Sequence, residues 1–242
     1  CTERRGVLPR VTNLVLVRHG QASFGARNYD ELSALGERQG VLLGEYWQRC
    51  GRRFDAAWSG GMERQKLTAT RAFGAMGAPD TAVTIDTAFN EFDHTQLIRA
   101  YLPLVAKEHP QFQVDPRTLF NDHDAFQRLF DLIIACWISE RKGAAPVDES
   151  WEAFQARCMD RLRRIADSGA KRVVAFTSGG VITAVLRAAL DLDADKAFHL
   201  NWEILNASVH TFKLGKRGLI LQRFNEVAHL EVMQDSGLFT YR

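Results

Sequence analysis

Four consecutive apolar residues, Leu14-Val15-Leu16-Val17, run directly into Arg18, His19 and Gly20. A run so short and so continuous reads as a strand buried on both faces, because a half-buried strand alternates and a core helix is longer. Comparable runs recur, so that strands are expected over 13–17, 55–59, 83–85, 172–177, 207–213 and 219–224. Helical stretches separate the early ones. Leu35, Gln39, Leu42, Leu43, Tyr46 and Trp47 recur at spacings of three and four, and a second helix is expected over 61–76. Strands alternating with amphipathic helices predict an α/β fold, a three-layer sandwich around a mainly parallel sheet.

The middle of the chain breaks the alternation. No strand is expected over 95–142, while Phe126, Leu129, Phe130, Ile133, Ile134, Trp137 and Ile138 form one helical stripe and Trp151, Phe154, Cys158, Leu162 and Ile165 another. We therefore expect a single domain over 1–242 with a helical cap inserted at about 95–148, covering one end of the sheet.

Bulk properties narrow the function classes. The 242 residues are 46% hydrophobic and 25% charged, enough for a sizeable core, and the net charge of +2 gives no general attraction to nucleic acid or anionic membranes. Arg161, Arg163 and Arg164 read as a solvated helix face. No apolar run approaches the roughly 18–20 residues that span a bilayer, and "CTERRGVLPR" has no signal-peptide core. Cys1, Cys50, Cys136 and Cys158 match no metal-ligand or CxxC spacing, which points to reduced thiols and a cytoplasmic protein. For a leading Cys1, lipid attachment and trimming are both open, trimming being the simpler account.

Ligands of open α/β sheets bind beyond the carboxyl ends of the strands. There the sequence places Arg18, His19 and Gly20 after the first strand, and Arg64 on the helix after the second. Glu91 follows the third, and Ser178, Gly179 and Gly180 stand where the 172–177 strand enters a helix. Guanidinium forks match phosphate oxygens, and amides at a helix start add donors. A neutral imidazole can attack phosphorus, and a carboxylic acid can protonate the leaving oxygen. The set suits phosphoryl transfer.

"LVRHG" followed by "LSALGERQG", then "SGGMERQKLTA", "FNEFD" and "VVAFTSGGVI", resembles the ordered signatures of the histidine phosphatase superfamily, in its phosphoglycerate mutase-like branch. "NASVHTF" and "FNEVAHL" resemble its closing strands, so the resemblance covers roughly 12–230. It implies that His19 is the nucleophile, that Arg18 and Arg64 hold the phosphoryl group, and that Glu91 donates the proton. It also implies that Gly20 permits close backbone approach, that Ser178 and Gly179 contact phosphate, and that neither metal nor cofactor is used. A phosphorylated small molecule is the implied partner, and a homodimer is compatible with the resemblance. One position departs from the pattern: Ser178 stands where the family carries a second histidine. The "FTGW"-like stretch of phosphoglycerate mutases is absent after "RHGQASFGARNYDELS", which favours hydrolysis of a phosphomonoester over a phosphomutase reaction.

Plainer readings compete. Ser178 precedes a glycine pair and a helical stripe, where an N-cap serine belongs. Asp93 and His94 crowd Glu91, and one of the three is expected in a surface ion pair. His94 is also the nearest histidine in sequence that could replace the missing one. His94, His123, His199, His210 and His229 otherwise read as surface or satisfied core residues, and Trp47, Trp58, Trp137 and Trp151 as core. A Ser178 nucleophile elbow lacks its first glycine, since Phe176 stands there, and leaves Arg18, His19 and Arg64 without a role. A phosphate-ligand-binding protein without turnover is the remaining alternative, favoured by the loss of the second histidine.

Overall fold

The computed structural model describes residues 11–23, 30–112, 123–216 and 218–241; Cys1 and the side chain of His123 lie outside these. The strands are β1 (Thr12–Arg18), β2 (Ala56–Ser59), β3 (Val83–Ile85), β4 (Arg172–Thr177), β5 (Val209–Gly215) and β6 (Gly218–Glu226). They form one sheet in the order β3-β2-β4-β1-β5-β6. β3, β2, β4 and β1 are mutually parallel, whereas β5 and β6 close the sheet antiparallel. The arrangement is the predicted α/β fold with a mostly parallel sheet.

The helices are α1 (Ala34–Arg49), α2 (Glu63–Ala75), α3 (His94–Glu108), α4 (His123–Ile138), α5 (Trp151–Asp167), α6 (Gly179–Leu190), α7 (Ala194–Glu203) and α8 (Ala228–Glu231). Val15 and Val17 of β1, with Val174 and Phe176 of β4, pack against Leu43 and Trp47 of α1 and Ala69, Ala72 and Phe73 of α2. The alternate residues Leu14, Leu16, Val173 and Ala175 are buried as well, and α6 packs on β1 and β6. Helices on both faces explain why β1 and β4 read as continuous apolar runs.

The chain divides into two compact units. One holds the described residues up to Glu91 and those from Cys158 onward; the other is Phe92–Arg157. The second unit is helical and has its own aromatic core, in which Phe92, Trp137, Trp151 and Phe154 contact one another and Trp137 Nε1–H donates to Glu149 O at 2.9 Å.

Several expectations are corrected. Trp58 is only half-buried, because its place on short β2 leaves one face partly open. Arg161 is not simply solvated but pairs with Asp86, which anchors α5. Of the three residues Glu91, Asp93 and His94, Asp93 caps α3 by accepting from Gln96 N–H at 3.0 Å. Cys50, Cys136 and Cys158 are thiols, as expected. No helix among the described residues is long and apolar enough to cross a membrane.

Candidate active site

The parallel register of β1 with β4 sets Arg18 opposite Thr177, so His19 and Ser178 leave adjacent strand ends together. Ser59 of β2 stands opposite Phe176, and Gly60 N–H donates to Phe176 O at 3.0 Å, bringing the start of α2 alongside. Three sequence-distant segments thus meet at the carboxyl edge of the sheet.

His19 is 5% exposed and held on both sides. Its Nδ1–H donates to Gly20 O at 2.7 Å, the only assignment open because a carbonyl accepts. Nε2 therefore carries the lone pair, and it accepts from Arg64 Nε–H at 3.1 Å. Burial, then the charges of Arg64 and Arg18, hold the imidazole pKa well below its ordinary 6.5, outweighing the opposite pull of the Gly20 carbonyl. The result is a neutral imidazole whose nucleophilic nitrogen faces a guanidinium. The main chain is fixed too: His19 O accepts from Ala207 N–H at 3.1 Å and from Asn206 Nδ2–H at 3.3 Å.

Arg64 is buried, and its NH1 pairs with Asp30 Oδ1 at 2.8 Å. The other oxygen of Asp30 accepts from Glu63 N–H at 2.9 Å, so one carboxylate ties the first turn of α2 to the guanidinium. Asp30 stands two residues before Leu32, which bridges Ala22, and Ser33 then caps α1. Arg18 donates through NH1 to Ile204 O and through NH2 to Tyr241 O at 2.9 Å. Each terminal nitrogen carries a second hydrogen.

Gly20 permits a close backbone approach, that of the start of α1. A Cβ there would lie 2.3 Å from Gly36 O, and Gly20 N–H is spent on Thr68 Oγ1 at 3.0 Å. Its lack of a side chain lets α1 start against the β1 end. Gly179 is likewise crowded, with Asn201 Oδ1 2.6 Å from where its Cβ would be. Glu91 lies at the start of α6, where Oε2 accepts from Gly180 N–H at 3.0 Å.

Ser178 occupies the N-cap position of α6 but makes no capping bond. Its Oγ instead accepts from Gln65 Nε2–H at 2.8 Å. The expectation of an N-cap serine is therefore right in position and wrong in bonding, because Glu91 supplies the acceptor to the helix. His94 is half-buried and belongs to the second unit. His210 is satisfied, with Nε2 3.0 Å from Ser208 Oγ and Nδ1 accepting from Asn225 N–H at 3.3 Å. His229 is buried but not satisfied, since its Nε2 has no hydrogen-bond partner among the described residues.

Asp30, Gln65, Thr68 and Asn206 escaped sequence reasoning. A signal existed for two of them. Arg64, Gln65 and Thr68 share the buried face of α2 with Ala69, Ala72 and Phe73, and polar residues on an apolar helix face need partners. Among the described residues, no group of three or more His, Cys, Asp or Glu could hold a metal ion.

The model of the histidine phosphatase superfamily (branch 1) matches residues 14–127 and 121–227. The chain belongs to this superfamily. Within it, the chain is 28% identical over 230 residues to the metal-independent phosphoserine phosphatase of Arabidopsis thaliana, covering 91% of this chain and 84% of that one. It is 30% identical over 90 residues to the 2,3-bisphosphoglycerate-dependent phosphoglycerate mutase of Bartonella bacilliformis, covering 35% of this chain and 44% of the mutase. The chain thus spans less than half the length of the bacterial mutases it matches. In fold it is similar to the phosphoglycerate mutase of Bacillus anthracis, with a TM-score of 0.64 at 19% identity over 94% of this chain and 98% of that one.

Proposed function

We propose that this histidine phosphatase superfamily member hydrolyses a phosphomonoester through a phosphohistidine at His19. The observation that carries the reading is the tautomer: Nδ1–H is committed to Gly20 O and Nε2 faces Arg64 Nε–H at 3.1 Å. A phosphoryl group entering between them exchanges that bond for guanidinium–oxygen bonds from Arg64, with Arg18 as the second clamp. Nε2 attacks phosphorus, and the P–O bond to the leaving group breaks. The leaving oxygen takes a proton from the neutral carboxylic acid of Glu91, which is left as a carboxylate. Water then attacks phosphorus and yields its proton to Glu91; the P–N bond breaks, releasing phosphate and neutral His19. The ring is cationic while phosphorylated, and Gly20 O stabilises its Nδ1–H. No metal is needed, since the guanidinium groups supply the positive charge.

Likeness over most of both chains to a phosphoserine phosphatase supports hydrolysis and puts phosphoserine in the first panel of substrates. A second reading, binding of a phosphorylated ligand without turnover, is favoured by Ser178 in place of a charged histidine. Pulse-labelling with a ³²P-phosphomonoester, followed by quenching at alkaline pH where phosphohistidine survives, separates them. Label on the parent and none on His19→Ala is expected, with the variant's turnover abolished. Turnover by His19→Ala within about threefold of the parent removes the covalent mechanism, and bound but untransferred phosphate supports the binding protein.

A further inference from the structure

We propose that Gln65 and Ser178 act as one donor unit that takes the place of the family's second histidine, with Gln65 as a residue that positions the Ser178 hydroxyl. This rests on the phosphohydrolase reading above. Both side chains are fully buried. Gln65 Nε2 donates to Ser178 Oγ at 2.8 Å and to Phe89 O at 3.0 Å, and Oε1 accepts from Met62 N–H at 3.3 Å. Both amide hydrogens are therefore spent and the carbamoyl orientation is fixed.

The consequence falls on the serine. A hydroxyl has one hydrogen to give, and the lone pair facing Gln65 is taken. Ser178 makes no capping bond, and its hydrogen has no acceptor among the described residues. A buried hydroxyl whose hydrogen goes unused is costly. Ser178 leaves the sheet beside His19, where the incoming acceptor is a phosphoryl oxygen. Gln65 thus occupies one lone pair of the hydroxyl and leaves its hydrogen for an acceptor, oriented before the substrate arrives. Such preorganisation is what stabilises developing charge.

The pair is also matched in volume. The space 2.8 Å from Oγ is filled by the Gln65 amide, held in turn by Phe89 and Met62. An imidazole at 178 that follows the direction of the serine Oγ collides with that amide unless Gln65 is shortened. Restoring the family histidine alone therefore damages the site, whereas restoring it with Gln65→Ala opens the volume it needs.

The test is a set of variants of the full chain: Ser178→Ala, Gln65→Met, both together, Ser178→His, and Gln65→Ala/Ser178→His. Each is assayed for kcat and KM on p-nitrophenyl phosphate and for melting temperature. Ser178→Ala and Gln65→Met are each expected to lower kcat by about 10-fold or more, with KM moving much less, and the double variant is expected to be no slower than Ser178→Ala alone. Ser178→His is expected to be slower than the parent, and Gln65→Ala/Ser178→His faster than Ser178→His by about 10-fold. Losses that multiply in the double variant, parental activity in either single variant, or equal activity of the two histidine variants overturn the proposal. If Gln65→Met does not fold, Gln65→Glu replaces the donor by an acceptor of the same size, and parental activity there is equally fatal. If the parent shows no turnover, the hydrolase reading has failed, and orthovanadate affinity by calorimetry then decides the pair. The same non-additive pattern in Kd supports it, and independent or absent effects overturn it. Absence of both turnover and vanadate binding removes both readings.

Discussion

The state of the His19 ring is set by what surrounds each of its nitrogens. A solvated histidine titrates near 6.5 and samples both tautomers. Here the Gly20 carbonyl holds the proton on Nδ1, while burial and two arginines oppose a second proton. The lone pair on Nε2 thus stays free of a proton in mildly acidic solution, where an ordinary histidine is largely protonated. ¹⁵N spectra of the His19 ring should keep the neutral, Nδ1-protonated pattern from pH 7.5 down to pH 6. A midpoint near 6.5 would show that burial and the guanidinium groups do not control the ring. Arg64 is specific for the same geometric reason, because its Nε reaches His19 and its NH1 reaches Asp30. A lysine ammonium on a single-ended stem cannot hold that fork, so Arg64→Lys should lose roughly 10²-fold in kcat/KM on an aryl phosphate. Parental activity would deny Arg64 the clamp.

At the scale of elements, the placement of α2 decides the placement of Arg64, and α2 is located by its packing on α1. The two helices approach so closely at Gly44 that a Cβ there would lie 2.1 Å from Ala72 O and 2.8 Å from Ala75 Cβ. Backbone cannot give way as a flexible side chain can, so Gly44→Ala should cost about 1–3 kcal/mol in urea unfolding. Gly74, on the exposed side of α2, has nothing within 4 Å of its missing Cβ. There the substitution only restricts the unfolded chain, and Gly74→Ala should add up to about 1 kcal/mol. The opposite signs are the check; equal effects would mean that the α1–α2 contact is looser than described. The C-terminal segment contributes in the same way. Leu238 O and Thr240 Oγ1 accept from Gln39 Nε2, and Gln39 Oε1 accepts from Gln21 N–H, two residues after His19.

Across the whole molecule, buried neutral histidines couple stability to acid. Burial, with the charge of Arg18, lowers His210 to about 3, and burial lowers His229 to about 4. In the unfolded chain both take up protons near pH 6.5, so below that pH the unfolded state binds more protons than the folded one. Their contribution is complete above about pH 6.5 and is lost as pH falls toward the folded values. Each accounts for roughly 1.4 kcal/mol per pH unit in that window. His229→Phe keeps a ring in the site and removes the titration, so its unfolding free energy should fall less steeply between pH 6 and 5, by about that amount per unit. Identical slopes would mean that His229 is already protonated when folded.

Periodicity was enough to place the six strands of the described residues to within two residues, and strand-end chemistry pointed to Arg18, His19, Arg64, Glu91 and Ser178 as candidates. The reason is local: a strand covered on both faces must be apolar throughout, and the residues that end such a run are read straight off the chain. The order β3-β2-β4-β1-β5-β6 was beyond its reach, because pairing is settled between segments far apart in sequence. So were the partners of the site. Asp30 meets Arg64 across 34 positions, and Gln65 meets Ser178 across 113. Nothing in the neighbourhood of either residue along the chain announces such a bond. The residues themselves were on the page from the start, but which hydrogen each one gives, and to whom, is a property of the packed sheet and helices.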